Sequence, residues 1–143
     1  MPFIVLVVAV SGLVAAAYAF HLFAPQVDCW IRPTDAPNTA VFTIVMANEG
    51  MNVGFNGSAN HSSPWPLMNV SIGQNVIIHV INNDTAQAHG FEINHYFDQG
   101  LKLAPGKCSD VRFVATQAGS FLVFCQIFCT IHLSMQYGRL TVN

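Results

Sequence analysis

Cys125-Gln126-Ile127-Phe128-Cys129-Thr130-Ile131-His132-Leu133-Ser134-Met135 is the stretch on which the fold and the chemistry of this chain both turn. Two thiols, an imidazole and a thioether stand within three turns of one another in sequence. Thiolate and thioether are soft donors that select Cu(I), and imidazole suits both oxidation states of copper. A set of two His, one Cys and a weak axial Met is a known copper arrangement. It needs a second imidazole, and His89 is the best placed. That histidine follows an apolar run, residues 75–82, across a polar turn, residues 83–88. Taken singly, each residue has a plainer role. Cys125 and Cys129 suit a disulfide in an exported domain, His132 a loop hydrogen bond, and Met135 core packing. Zinc is the rival metal for two Cys and two His.

Outward from this stretch the pattern is short strands and turns. Residues 41–47, 51–55, 67–72, 75–82, 87–93, 101–103, 109–116, 119–125 and 136–142 carry β-branched and apolar residues in short runs. Val111, Phe113 and Ala115 alternate onto one face. Pro105-Gly106 marks a turn, and residues 56–66 form a polar loop with Pro64 and Pro66. The expected fold class is all-β, an antiparallel sandwich or barrel over residues 41–143. Its two ligand segments, His89 and the Cys-His-Met stretch, converge at one end.

Hydrophobic residues make up 52% of the chain and charged residues only 8%, against about 25% charged in an ordinary soluble domain. Part of that shortfall lies at the start. Phe3 to Ala24 contains no Asp, Glu, Lys or Arg, and about 20 apolar residues span a bilayer as a helix. A transmembrane anchor over residues 1–25 and a Pro-containing linker over 26–40 are therefore expected. A cleaved leader is the alternative, but no Lys or Arg precedes the apolar run. Asn56-Gly57-Ser58, Asn60-His61-Ser62, Asn69-Val70-Ser71 and Asn83-Asp84-Thr85 fit the N-glycosylation acceptor pattern. They place the domain on the extracellular or periplasmic side of a single-pass membrane protein. A net charge of −2 leaves no basic patch for nucleic acid. No Ser-His-Asp set or carboxylate pair is evident, so catalysis falls to a partner.

From about Leu67 to Asn143 the chain resembles subunit II of haem–copper terminal oxidases, in the short form with one transmembrane helix. The carrying residues are His89-Gly90-Phe91, Leu103-Ala104-Pro105-Gly106, Val111-Arg112-Phe113, residues 119–124 and the Cys-His-Met stretch. The resemblance implies a Greek-key cupredoxin sandwich with a dinuclear copper centre. That centre passes electrons from cytochrome c or a blue copper protein to the haems of subunit I. Carried over by residue, His89 and His132 each bind one copper, and Cys125 and Cys129 bridge both. Met135 is a weak ligand, and the Ile127 backbone carbonyl completes the set.

One departure matters. The family places three residues between its second Cys and its His; here there are two, Thr130 and Ile131. That shorter spacing is also seen in single-copper proteins. Cys129, His132, Met135 and His89 then hold one ion and Cys125 is spare. A copper-free subunit of a quinol oxidase is the third possibility. With two bridging thiolates, Cys29 and Cys108 remain as a possible disulfide pair. Outside the ligand set, His95 is a candidate to support the site, and Phe55, Trp65 and Phe128 are candidates for an electron path. Packing is the ordinary role of each.

Overall fold

The computed structural model describes residues 28–34 and 36–143. The apolar stretch expected to be the anchor lies outside the described residues, as does most of its boundary with the linker. Among the described residues no helix is long and apolar enough to cross a membrane.

Among the described residues nine strands form two mixed sheets. The first has the order β2–β1–β4–β7, built from Asn52–Phe55, Thr39–Glu49, Asn75–Asn82 and Cys108–Val114. The second has the order β3–β9–β8–β5–β6, built from Leu67–Val70, Gly138–Val142, Gly119–Phe124, His89–Ile93 and Phe97–Leu103. The expectation of an all-β sandwich is met. Each sheet also carries a parallel pair, β1 with β4 and β3 with β9.

Alternation decides which side chains face inward, because successive side chains of a strand point to opposite faces. On β4, Val76, Ile78 and Val80 enter the core with Ile44 and Met46 of β1 and Val111 of β7. From the opposite sheet come Met68, Val70, Phe91, Ile93, Val123, Leu140 and Val142. Val111, Phe113 and Ala115 share the inner face as their spacing implies.

The remaining β4 residues, Ile77, His79 and Ile81, are also buried, although they point to the other face. The chain before β1 crosses that side as a strap. A disulfide joins Cys29 of the strap to Cys108 at the start of β7. Arg32 Nη2 donates to the Val41 carbonyl at 2.6 Å. The His79 ring lies between the Cys29 carbonyl, 2.7 Å from Nε2, and the Asp110 carboxylate, 2.7 Å from Nδ1. His79 is the buried fastening of the strap.

At one end of the sandwich, β5 begins where β8 ends. The two strands are antiparallel, with Glu92 opposite Phe124 and Ile93 opposite Val123. Continued past β8, this register sets Gly90 beside the start of the Cys-His-Met stretch.

Candidate metal centre

The first ligand segment is a turn held by its own polar side chains. Asn82 is fully buried; its Nδ2 donates to the carbonyls of Gln87, at 2.8 Å, and Leu103, at 2.9 Å. Its Oδ1 accepts the backbone N–H of Asp84. Asp84 Oδ1 in turn accepts from Ala86 N, at 2.8 Å, and Gln87 N, at 3.0 Å. This wraps residues 83–88 tightly and delivers His89 to the sandwich interior, with no exposed surface. The ring Nε2 of His89 lies 2.8 Å from Asp84 Oδ2. Its Nδ1 is buried and has no hydrogen-bond partner.

Residues 125–135 form the second segment, and the sheet braces it at both ends. Cys125 N donates to the Met135 carbonyl at 2.8 Å, and Gln136 Nε2 to the Cys125 carbonyl at 2.9 Å. A single 3₁₀ turn, His132–Met135, closes the loop. Gln87 Oε1 reaches across from the other segment to accept from both the N–H and the hydroxyl of Thr130, each at 3.1 Å. Ser58, in a second 3₁₀ turn (Ser58–Asn60), donates to the Ser134 carbonyl and accepts from Phe55 N.

These braces bring the ligand atoms together. The metal-binding atoms of Cys125, Cys129 and His132 all lie within 4.8 Å of one another. The Ile127 carbonyl points into the same cluster, accepting from the Cys125 thiol at 3.0 Å and from His132 Nδ1–H at 3.0 Å. Met135 is fully buried beneath them. Gly90 N donates to Cys125 Sγ at 3.2 Å, which joins the two segments directly. A Cβ at Gly90 would stand 2.2 Å from Gln126 Oε1 and 3.2 Å from Gln126 N, so the Gln126 side chain would have to shift to admit one. His89 is outside the group of mutually close ligand atoms.

The two sulfurs are free thiols, and the surroundings of Cys129 oppose charge. Burial, with the Cys125 sulfur next to it and Asp84 further off, pushes the Cys129 thiol up to about 11. Without a metal, the Cys129 thiol therefore stays protonated at neutral pH. A cation removes that penalty, because thiolate is the form that ligates. Burial of the Asp84 carboxyl works the other way from its hydrogen bonds. Those from Ala86, Gln87 and His89 outweigh it, and its pKa falls below the ordinary carboxylate value.

The donor set fits copper. Two sulfurs, an imidazole and a carbonyl face one another, and in the segment tied to them through Gly90 N a second imidazole nitrogen, His89 Nδ1, is buried with nothing to bond. A buried, unpaired ring nitrogen is costly, and a metal is the partner that removes the cost without a proton.

Other sequence candidates fall elsewhere. His95 is exposed at the opposite end of β5, its ring stacked 5.4 Å from Phe121 and edge-on to Tyr96. It does not support the site. Phe55 is fully buried, 5.9 Å from Phe91. Trp65 stacks on His61 at 4.2 Å. Phe128 does not pack at all: it is 91% exposed, its ring 5.7 Å from that of His132. Asp84, Gln87 and Ser58 were not legible as site residues. They sit in turn sequences where such residues are ordinary, and only a buried acceptor five positions before His89 hints at more.

No protein-family model matches the chain, and no curated protein matches it. Solved structures do resemble it. A multicopper oxidase superposes with TM-score 0.58 at 20% identity, over 78% of this chain and 46% of its own. The blue copper oxidase of Nitrosomonas europaea gives 0.55 at 22% identity, over 73% of this chain and 39% of its own. Dithionite-reduced auracyanin from the photosynthetic bacterium Roseiflexus castenholzii gives 0.50 at 20% identity, over 76% of this chain and 99% of its own. The chain thus spans less than half of either oxidase. What it shares with all three is architecture, and the described residues form a cupredoxin domain.

Proposed function

We propose that this chain is an electron-relay domain with a copper centre, the electron-entry subunit II of a membrane terminal oxidase. One observation carries the reading: both buried thiols of the Cys-His-Met stretch meet its half-buried imidazole and the Ile127 carbonyl in one cluster. Copper held there supplies one-electron redox chemistry. His89, Cys125, Cys129, His132, Met135 and the Ile127 carbonyl are the residues that would hold it.

The grouping favours two coppers over one. A single ion bound by His89, Cys129, His132 and Met135 needs both imidazoles close together and leaves Cys125 aside. Instead Cys125 is within the tight group and His89 is outside it, so both thiolates would take part in holding the metal and His89 would serve a second ion. The chain supplies rigidity. Its ligands come from two turns fixed by backbone and side-chain bonds, so the geometry changes little with oxidation state.

The anchor expected at residues 1–25, the acceptor-pattern asparagines and the Cys29–Cys108 disulfide support a domain outside the cytoplasm, tethered to a membrane. Electrons would pass from cytochrome c, a blue copper protein or a quinol towards subunit I.

A second reading is a tethered single-copper carrier. The spacing of Cys129, His132 and Met135 favours it. Metal analysis with electron paramagnetic resonance of the oxidised protein decides. Two coppers and a seven-line hyperfine pattern are expected; one copper with four lines supports the carrier. No copper at all leaves a purely structural subunit.

A further inference from the structure

Between the site and the bulk of the sandwich stands one buried ionic group with no ligand role, the Asp84 carboxylate. Its side chain is 5% exposed and that of His89 is wholly covered. Both carboxylate oxygens are fully occupied. Oδ1 takes two backbone N–H groups, from Ala86 and Gln87, and Oδ2 takes His89 Nε2. An ionised carboxylate only accepts hydrogen bonds, so the hydrogen on the His89–Asp84 contact belongs to Nε2. In a neutral ring the lone pair then lies on Nδ1, the buried nitrogen with no partner.

From this geometry we infer that Asp84 is the positioning residue of the metal centre, selecting the Nε2–H tautomer of His89 and aiming its Nδ1 lone pair at the copper. The inference rests on the copper reading of the site, which it deepens. The carboxylate cannot turn away without breaking two backbone bonds, so the ring is oriented before any metal arrives. Its negative charge also makes the imidazole a stronger donor and favours the more highly charged oxidation state. Partners of this kind change metal affinity by about 10- to 100-fold when removed.

Two measurements separate this inference from the reading beneath it. Nitrogen chemical shifts of the His89 ring in the metal-free protein report the tautomer directly, whether or not copper binds. Hydrogen on Nε2 is expected; hydrogen on Nδ1 overturns the inference. Competition titration with copper and potentiometry then compare wild type with Asp84→Asn, whose amide retains an acceptor oxygen for the turn but carries no charge. Expected are a 10- to 100-fold weaker copper affinity, about the range for such partners, and a raised reduction potential. Unchanged affinity and potential in a folded variant would falsify the positioning role. If Asp84→Asn does not fold, the wild-type tautomer measurement decides alone. If wild type binds no copper while His89 carries hydrogen on Nε2, the copper reading fails and the tautomer assignment survives.

Discussion

At the scale of single residues, the centre separates groups that bind from groups that merely fill. Cys125 and Cys129 are the only free thiols among the described residues. Replacing either by Ser leaves a hydroxyl of similar size that is a poor copper ligand. Both variants should fold and lose the visible absorption of the copper-loaded protein; full colour in both would end the copper reading. Met135 tests the opposite balance. It is buried, so volume dominates its stability contribution, and Met135→Leu conserves volume. Unfolding free energy should change by less than about 1.5 kcal/mol, while loss of the weak thioether donor should raise the reduction potential. A stability change with no shift in potential would make Met135 a packing residue only.

At the scale of elements, the site depends on three turns meeting edge to edge. Gly90→Ala forces a methyl into the space of Gln126 and drives the two ligand segments apart. A cost of about 1–3 kcal/mol is expected from overpacking, with weakened copper uptake; denaturant titration and metal competition read the two effects. Ser58→Ala removes the tie to Ser134 and leaves Phe55 N unsatisfied, for about 1–3 kcal/mol.

Most strands were legible from alternation and turn chemistry, as with residues 75–82 and 109–116. The strand β6 was not: only residues 101–103 read as strand, yet it starts at Phe97. Phe97-Asp98-Gln99-Gly100 has no apolar pattern of its own and is extended because β5 pairs with it. The candidate site was legible because four soft or imidazole donors within 11 residues are rare by chance. Asp84 was not, because an acid in an Asn-Asn-Asp-Thr turn looks like turn chemistry until burial is known. The parallel pairing of β1 with β4 is a matter of topology, and no local pattern encodes it.

At the scale of the whole molecule, the strap and the sandwich act as one body. Cys29 and Cys108 lie 79 residues apart in sequence, so the link restricts a long loop in the unfolded chain. Removing it with Cys29→Ser and Cys108→Ser together should cost about 2–5 kcal/mol, read as a lowered thermal midpoint. Asp110 adds a pH dependence to the same seam. Burial would raise its pKa, but hydrogen bonds from His79 and Arg112 prevail and hold it below the ordinary value. A depressed carboxylate stabilises the fold above the unfolded-state pKa, and that contribution fades as pH falls through the folded one. Denaturation midpoints measured from about pH 6 down to about pH 3 should therefore fall more steeply in wild type than in Asp110→Asn. Equal slopes would remove Asp110 from the account. The place of β9 has a further outcome. It lies inside its sheet, between β3 and β8, yet it is translated after every ligand. Until residues 138–142 pair, the donors stand on a sandwich that lacks an interior strand. Metal loading into a finished cage thus belongs after synthesis, and the two thiols are open to oxidation until that strand zips in.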